Sequence, residues 1–476
     1  MVRRLVGLTF ALVLASCSGG DDDDEMIDPR DGGTRDSGTE VVRDAGFRDG
    51  GVDVPDGGTP DSGTPRDGGA RDGGPRDAGM CMDPLTNCDG VCADLFADDG
   101  HCGACNAACA GGDVCLSGVC GPPAPTLAAT VPEQVVGPGC TIPSAQIDKV
   151  TVDPSGRIFV AMDCAGAPYV ARSADLGVSY ADPTPIAIPT VERFAIHAHA
   201  PDVLYAAANT TGGALVFAKS TDGGATWSAP RVVDAGPVAS GLLDYGPHIA
   251  SWRNHVFLAV KDSAGSEVRV WRNSDFGETT FELASITSAT AAGGAIHVDP
   301  ATGDLIAFID APLRFEIHRS TDLGQTFALE HMISGLSLGG DIAFSPPSTA
   351  YYSCASTFGN STCTARIDVQ AGTAEPLIVP AGHSAPHPFG FGVAASTDGS
   401  GYVVVRRLNM NGISDGALGV LDYAPTSTTT GGIQYVTTAT TTDVQSGNGA
   451  HEIVDLNAVV AVFTSSVGAS AAVVAY

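Results

Sequence analysis

The sequence predicts an all-β protein built from radially arranged repeats, and three observations carry that prediction. A short phrase recurs as Ser173-x-Asp175-x-Gly177-x-Ser179-Tyr180, Ser220-x-Asp222-x-Gly224-x-Thr226-Trp227, Asn273-x-Asp275-x-Gly277-x-Thr279 (with Phe281 close behind) and Ser320-x-Asp322-x-Gly324-x-Thr326-Phe327. Its Asp positions are 47, 53 and 47 residues apart, and a period near 50 is the signature of stacked or radial units. Between the phrases lie short apolar runs, such as 158–162 and 256–260, bounded by turn signals such as Asp153-Pro154-Ser155-Gly156. The chain holds 60 glycines and only 6% aromatic residues, a composition that suits many short strands joined by loops.

Each residue of the phrase has a local physical task. Ser and Asp side chains hydrogen-bond backbone amides a few residues on and so nucleate a turn. Glycine takes a positive φ that other residues resist, and the terminal aromatic buries a large apolar area beside its strand. The phrase resembles the Asp-box of sialidase-like β-propellers. That resemblance implies a hairpin between the third and fourth strands of each blade, on the face away from the ligand, with Asp175, Asp222, Asp275 and Asp322 as turn-formers.

Residues 1–17 read as a lipoprotein signal: Arg3 and Arg4, a short apolar core, then Leu14-Ala15-Ser16-Cys17 as a lipobox. The apolar run is too short to span a bilayer as a helix. Cys17 is the expected lipidated residue and the route to the membrane. Residues 18–80 repeat Asp-x-Gly units with almost no bulky apolar side chains. Such a segment cannot offset its ordering entropy and reads as a disordered acidic tether. Its Asp residues lie too far apart for calcium loops, which need several oxygens within one short turn.

Of thirteen cysteines, eight fall within 81–121: Cys81, Cys88, Cys92, Cys102, Cys105, Cys109, Cys115 and Cys120. Behind an export signal they predict a small disulfide-held module whose pairing the spacing leaves open. Zinc is the rival reading of Cys102 and Cys105 beside His101. The run resembles cysteine-rich modules of exported myxobacterial proteins, which implies a spacer or recognition role. Cys140, Cys164, Cys354 and Cys363 complete an even number, with Cys140 and Cys164 placed to pair with each other and Cys354 with Cys363.

Residues 125–476 are expected to form the propeller, with units beginning near Lys149, Phe194, His248, Ala295, Asp341, Phe391 and His451. Asp368 and Asp422 stand where the fifth and sixth units should carry their Asp. The last unit has room for three strands, and 126–136 is placed to supply the fourth, so that no raw edge remains. Seven blades are predicted, with six as the alternative.

The resemblance to sialidases implies three arginines on a carboxylate, a Tyr–Glu nucleophile pair and an Asp acid/base. No residue here carries that set over. The region around Asp148-Lys149 lacks the expected arginine, and Arg193-Phe194 departs from the phrase. Candidate ligand residues are His248, Asp341, His387, His451 and Glu452, with His383, from loops between blades. Arg406 and Arg407, with Asp163, Lys261, Asp262 and Asp310, are assigned to loops between second and third strands. His197 and His199 are read as strand residues. No metal or cofactor is expected. A net charge of −30 argues against nucleic acid. The expectation is a lipid-anchored protein of the cell envelope, in the outer membrane, with a tether long enough to allow exposure at the cell surface. Its propeller is expected to bind glycan or protein without catalysis; the alternative is an exo-glycosidase with an atypical site.

Overall fold

The computed structural model describes Cys81 and residues 84–123, 130–143 and 148–476. Within the last span it omits 190, 237, 239–245, 265, 289–290, 292, 312–313, 335–339, 355–363, 377–390, 396–401, 411–412, 424–431, 436–445, 454–457, 466 and 476, and between 402 and 453 strands are given by their backbone path. Cys17, the segment 18–80, His383, His387 and Cys363 therefore lie outside the described residues. Among the described residues no helix is long and apolar enough to cross a membrane.

The protein is all-β. Described residues form seven four-stranded antiparallel sheets, six of them from four strands consecutive in sequence. Each sheet is a meander, because short hairpins can join only antiparallel neighbours. Their innermost strands are Val150–Val152, Val191–Ala200, His248–Trp252, Gly293–Val298, Gly340–Ser345, Phe391–Ala395 and Ser446–Ile453. Successive sheets pack face to face through apolar side chains. Phe159 and Ala161 of the first meet Phe194 and Ile196 of the second, and Tyr205 and Phe217 of the second meet Ile249 and Leu258 of the third. Phe257 meets Ile296 and Ala307 of the fourth, and Phe308 meets Phe344 and Tyr352 of the fifth. This is a β-propeller.

The seventh sheet takes its outer strand from the other end of the domain. Val131–Pro138 pairs antiparallel with Gly468–Ala475. Val131, Val136, Val460, Val462 and Val473 of this sheet then pack on Val150, Val160 and Leu176 of the first. Cys140 and Cys164 form a disulfide that spans 24 residues, beside a backbone bridge between Thr141 and Asp163. It ties the closing strand to the first sheet. Replacing both cysteines by alanine should lower stability by about 3 kcal/mol from the entropy of a loop of that length, read as a lower urea midpoint at unchanged slope.

All four phrases lie between the third and fourth strands of their sheets. In the second, Ser220 Oγ donates to Asp222 Oδ1 (2.8 Å) and accepts from Gly224 N (2.9 Å), while Asp222 accepts from Thr226 N and Oγ1. These bonds from Thr226 hold the Asp222 carboxyl below its usual range. The same network recurs at Asp175 and Asp322, and Asn273 replaces the serine at Asp275. Gly277 has φ +78°, and a Cβ there would lie 2.8 Å from Phe217 Cζ; both reasons demand glycine. Asp368 accepts amides of Gln370 and Ala371 in a looser turn, and the Asp422 side chain is outside the description.

The cysteine-rich module holds two small hairpins and four disulfides: Cys81–Cys92, Cys88–Cys105, Cys102–Cys115 and Cys109–Cys120. All eight sulfurs are therefore spent in S–S bonds, which leaves no thiolate for zinc. Arg253 docks the module on the propeller. Its guanidinium donates to Asp94 Oδ2 at 2.8 Å and lies 5.1 Å from the Phe96 ring and 4.9 Å from Trp252.

Candidate functional site

The innermost strands have no partner strand on the axial side, so their edge amides need other acceptors. Side chains and carbonyls of neighbouring inner strands supply them. Asp148 O accepts from Ile196 N at 3.1 Å, and Thr151 Oγ1 accepts from Ala198 N at 3.0 Å. Asp341 Oδ2 accepts from Val393 N and Oδ1 from Ile342 N, both at 2.9 Å. His248 Nδ1 faces Ile296 N at 3.4 Å. Polar residues are thus required along the axis for structural reasons alone.

Several polar atoms there exceed that requirement. A cavity of about 310 Å³ runs along the inner strands, lined by Asp148, His248, His297, Asp341, Ser251 and Trp252 among others. Asp148 Oδ2, Lys149 Nζ, His199 Nε2 and His297 Nε2 are buried without a hydrogen-bond partner among the described residues. Asp148 Oδ2 lies 3.4 Å from His248 Nε2, without hydrogen-bond alignment. Asp148 also has φ +57°, a left-handed backbone that Asp tolerates better than most residues. The Lys149 ammonium is fully buried and stands 4.0 Å over the Phe194 ring.

Burial sets the protonation states. It pushes the Asp148 carboxyl up to about 7 against the pull of Lys149, and lowers the Lys149 amine to about 7 against the pull of Asp148. Asp341 is raised to about 7 by burial, although the Val393 amide opposes this and nearby Asp148 reinforces it. His248 falls to about 4 and His297 well below its ordinary value, both chiefly through desolvation. Both imidazoles are neutral at pH 7; their rings meet edge to face at 5.1 Å.

The structure brings His248 and Asp341 together on one cavity wall. Both are inner-strand residues rather than loop residues, because each falls within the innermost strand of its sheet. His451 and Glu452 likewise fall inside Ser446–Ile453. Arg406 and Arg407 lie within the long strand Tyr402–Met410, paired with Phe391 and Leu418 respectively. The valines before them extend the strand past the expected loop. Asp163, Lys261 and Asp310 are also strand residues. Asp310 accepts from Tyr352 Oη at 3.0 Å in the wall between sheets. Sequence reasoning missed Asp148, Lys149, Ser251 and His297. The charged pair Asp148-Lys149 stands directly before the inner strand Val150–Val152, where sequence gives no sign that it will be buried.

Comparisons with known proteins identify parts of this architecture. Residues 77–122 match the Stigma-specific STIG1-like protein family, which covers the cysteine-rich module. No curated protein matches the chain. Similar solved structures include YCF48 bound to D1 peptide, at 13% identity over 74% of this chain and 99% of that one, with a TM-score of 0.46. A second is the Aleuria aurantia lectin in complex with Fucalpha1-6GlcNAc, at 13% identity, 62% and 96% coverage and a TM-score of 0.42. The Hadza microbial sialidase Hz136 overlaps at 12% identity, 69% and 65% coverage and a TM-score of 0.39. Overlaps this loose transfer neither ligand nor reaction.

Proposed function

We propose that this chain is a lipid-anchored cell-envelope protein of the outer membrane in which Cys17 carries lipid, 18–80 is a tether, and 81–121 is a docked spacer. A seven-bladed propeller holds a ligand in its axial cavity and retains it without cutting glycosidic bonds. The reading rests on one observation: the cavity wall holds buried polar atoms without hydrogen-bond partners among the described residues, at Asp148, Lys149 and His297. Leaving such groups unpaired costs about 1–3 kcal/mol each, a cost that a polar ligand would offset.

The favoured ligand is a neutral glycan end. Carboxyls and neutral imidazoles accept and donate to sugar hydroxyls, and no arginine lines the cavity among the described residues, which disfavours acidic sugars. A protein side chain is the other ligand class of this reading. Exo-glycosidase action is the second reading, supported by two carboxyls, Asp148 and Asp341, held near 7 in one cavity, the range of an acid/base catalyst. Against it, both Asp341 oxygens already accept backbone amides.

The test is a glycan array incubated with the full chain, scored for retained protein and for lost sugar epitopes. Retention with epitopes intact is expected. Epitope loss would make the protein a glycosidase, and a blank array with folded protein would overturn the glycan reading in favour of a protein ligand.

A further inference from the structure

In the seam between the second and third sheets, one hydroxyl stands between two imidazoles. Ser251 Oγ lies 2.8 Å from His197 Nε2 and 2.9 Å from His199 Nδ1. Ser251 and His197 are partly accessible and both line the axial cavity. A hydroxyl has one proton, so it can donate to only one of the two rings; the other ring must donate its own N–H to the oxygen. His199 Nε2 is buried without a partner. An orphaned N–H is the rarer kind of buried group, so the proton of His199 belongs on Nδ1, pointing at Ser251. The serine proton is then directed at His197 Nε2. Ser251 and His197 thus stand as nucleophile and base at hydrogen-bonding distance, with His199 holding the hydroxyl rather than the base.

We propose that Ser251 is a nucleophile toward small acyl esters, that His197 is its general base, and that His199 positions the hydroxyl. In the first step Oγ bonds the ester carbonyl carbon while its proton passes to His197 Nε2. The tetrahedral species collapses by breaking the ester C–O bond, and the departing alkoxide takes the proton from His197. Water then attacks the acyl-serine, giving its proton to His197. Collapse breaks the Oγ–acyl bond, returns the proton to Oγ and releases the carboxylic acid. The substrate class follows from the cavity: about 310 Å³, with Ala250, Ile296, Val298 and Phe344 on its wall, suits a short acyl group on an alcohol. The inference stands apart from the glycan reading, since it concerns an ester rather than a glycosidic bond. Burial, with Lys219 adding to it, lowers His199 to about 4, so that ring stays neutral and is spared for orientation.

The experiment treats the full-length oxidised protein with a fluorophosphonate probe and with 4-nitrophenyl acetate. One adduct is expected, on the peptide carrying Ser251, together with ester turnover. Both should vanish in Ser251→Ala, with its fold verified by circular dichroism, and fall roughly 100-fold or more in His197→Gln. His199→Ala should slow acylation, and His199→Asn, which keeps an N–H donor near the same place, should restore it; a merely structural role would not show that rescue. Absence of an adduct on folded wild-type protein, or an adduct that persists in Ser251→Ala, would overturn the proposal. Labelling combined with a blank glycan array would uphold it and sink the glycan reading alone.

Discussion

Val473→Asp is expected to remove about 4.5–6.5 kcal/mol of stability, most of what an ordinary domain possesses. Val473 is fully buried. It lies in Gly468–Ala475, paired on one side with Val460 and on the other with Val131. Its side chain packs against the first sheet, where a Cβ added to Gly177 would fall 2.6 Å from Val473 Cγ2. The substitution loses about 1.5 kcal/mol of apolar burial and leaves a carboxylate among the valines and alanines of that seam, worth about 3–5 kcal/mol. Urea unfolding monitored by tryptophan fluorescence measures it. A loss below about 1 kcal/mol would mean that the seventh sheet does not seal against the first.

Lys149→Met is expected to act in the opposite direction. The amine is buried, has no hydrogen-bond partner and neighbours an aromatic ring that methionine would also contact. Replacing a buried charge by an apolar side chain of similar volume is often stabilising, here by about 2 kcal/mol at pH 7. The pH dependence carries a sharper signature. Burial lowers the folded-state value of Lys149 to about 7, so between about 7 and 10 the unfolded chain binds a proton that the folded chain does not. Wild-type stability should therefore rise with pH across that window, and Lys149→Met should flatten the rise. Asp148 and Asp341, raised to about 7, act with the reverse sign between about 4 and 7. His248 and His199, lowered to about 4, oppose them up to about 6.5. Urea midpoints at pH 6, 7 and 9.5 separate these contributions; an unchanged slope above pH 7 would show that Lys149 is solvated.

Much of the architecture was readable because it depends on local chemistry. The Ser-x-Asp-x-Gly phrases specify a turn through bonds made within five residues, so their spacing reports the repeat. Cys140 and Cys164 were pairable because their positions relative to the first sheet followed from that repeat. The pairing of Val131–Pro138 with the last strand followed from a missing fourth strand, though it begins five residues later than the sequence indicated. The module's pairing was not readable, since spacing alone does not choose among the connectivities.

The site was harder to read for a physical reason. Its residues meet only after inner strands far apart in sequence converge on one axis. His248 and Asp341 were selected for charge and polarity, yet their first task is to cap edge amides of the neighbouring strand. Lys149 reads only as the start of the first unit, because a charged pair beside Val150 gives no hint that both will be buried. Ser251 carries no sequence signal, since its meaning comes entirely from two histidines on another sheet.

On the proposed function, the axial polar cluster is kept for a ligand, at a cost to the fold. Asp148→Asn tests it most directly, because asparagine tolerates the same left-handed backbone and removes only the ionisable group. Stability and retention on the array sugar would be measured on one preparation of the full chain. Equal or higher stability is expected together with at least a tenfold loss of affinity, about 1.4 kcal/mol. Unchanged retention would contradict it and return Asp148 to a purely structural role.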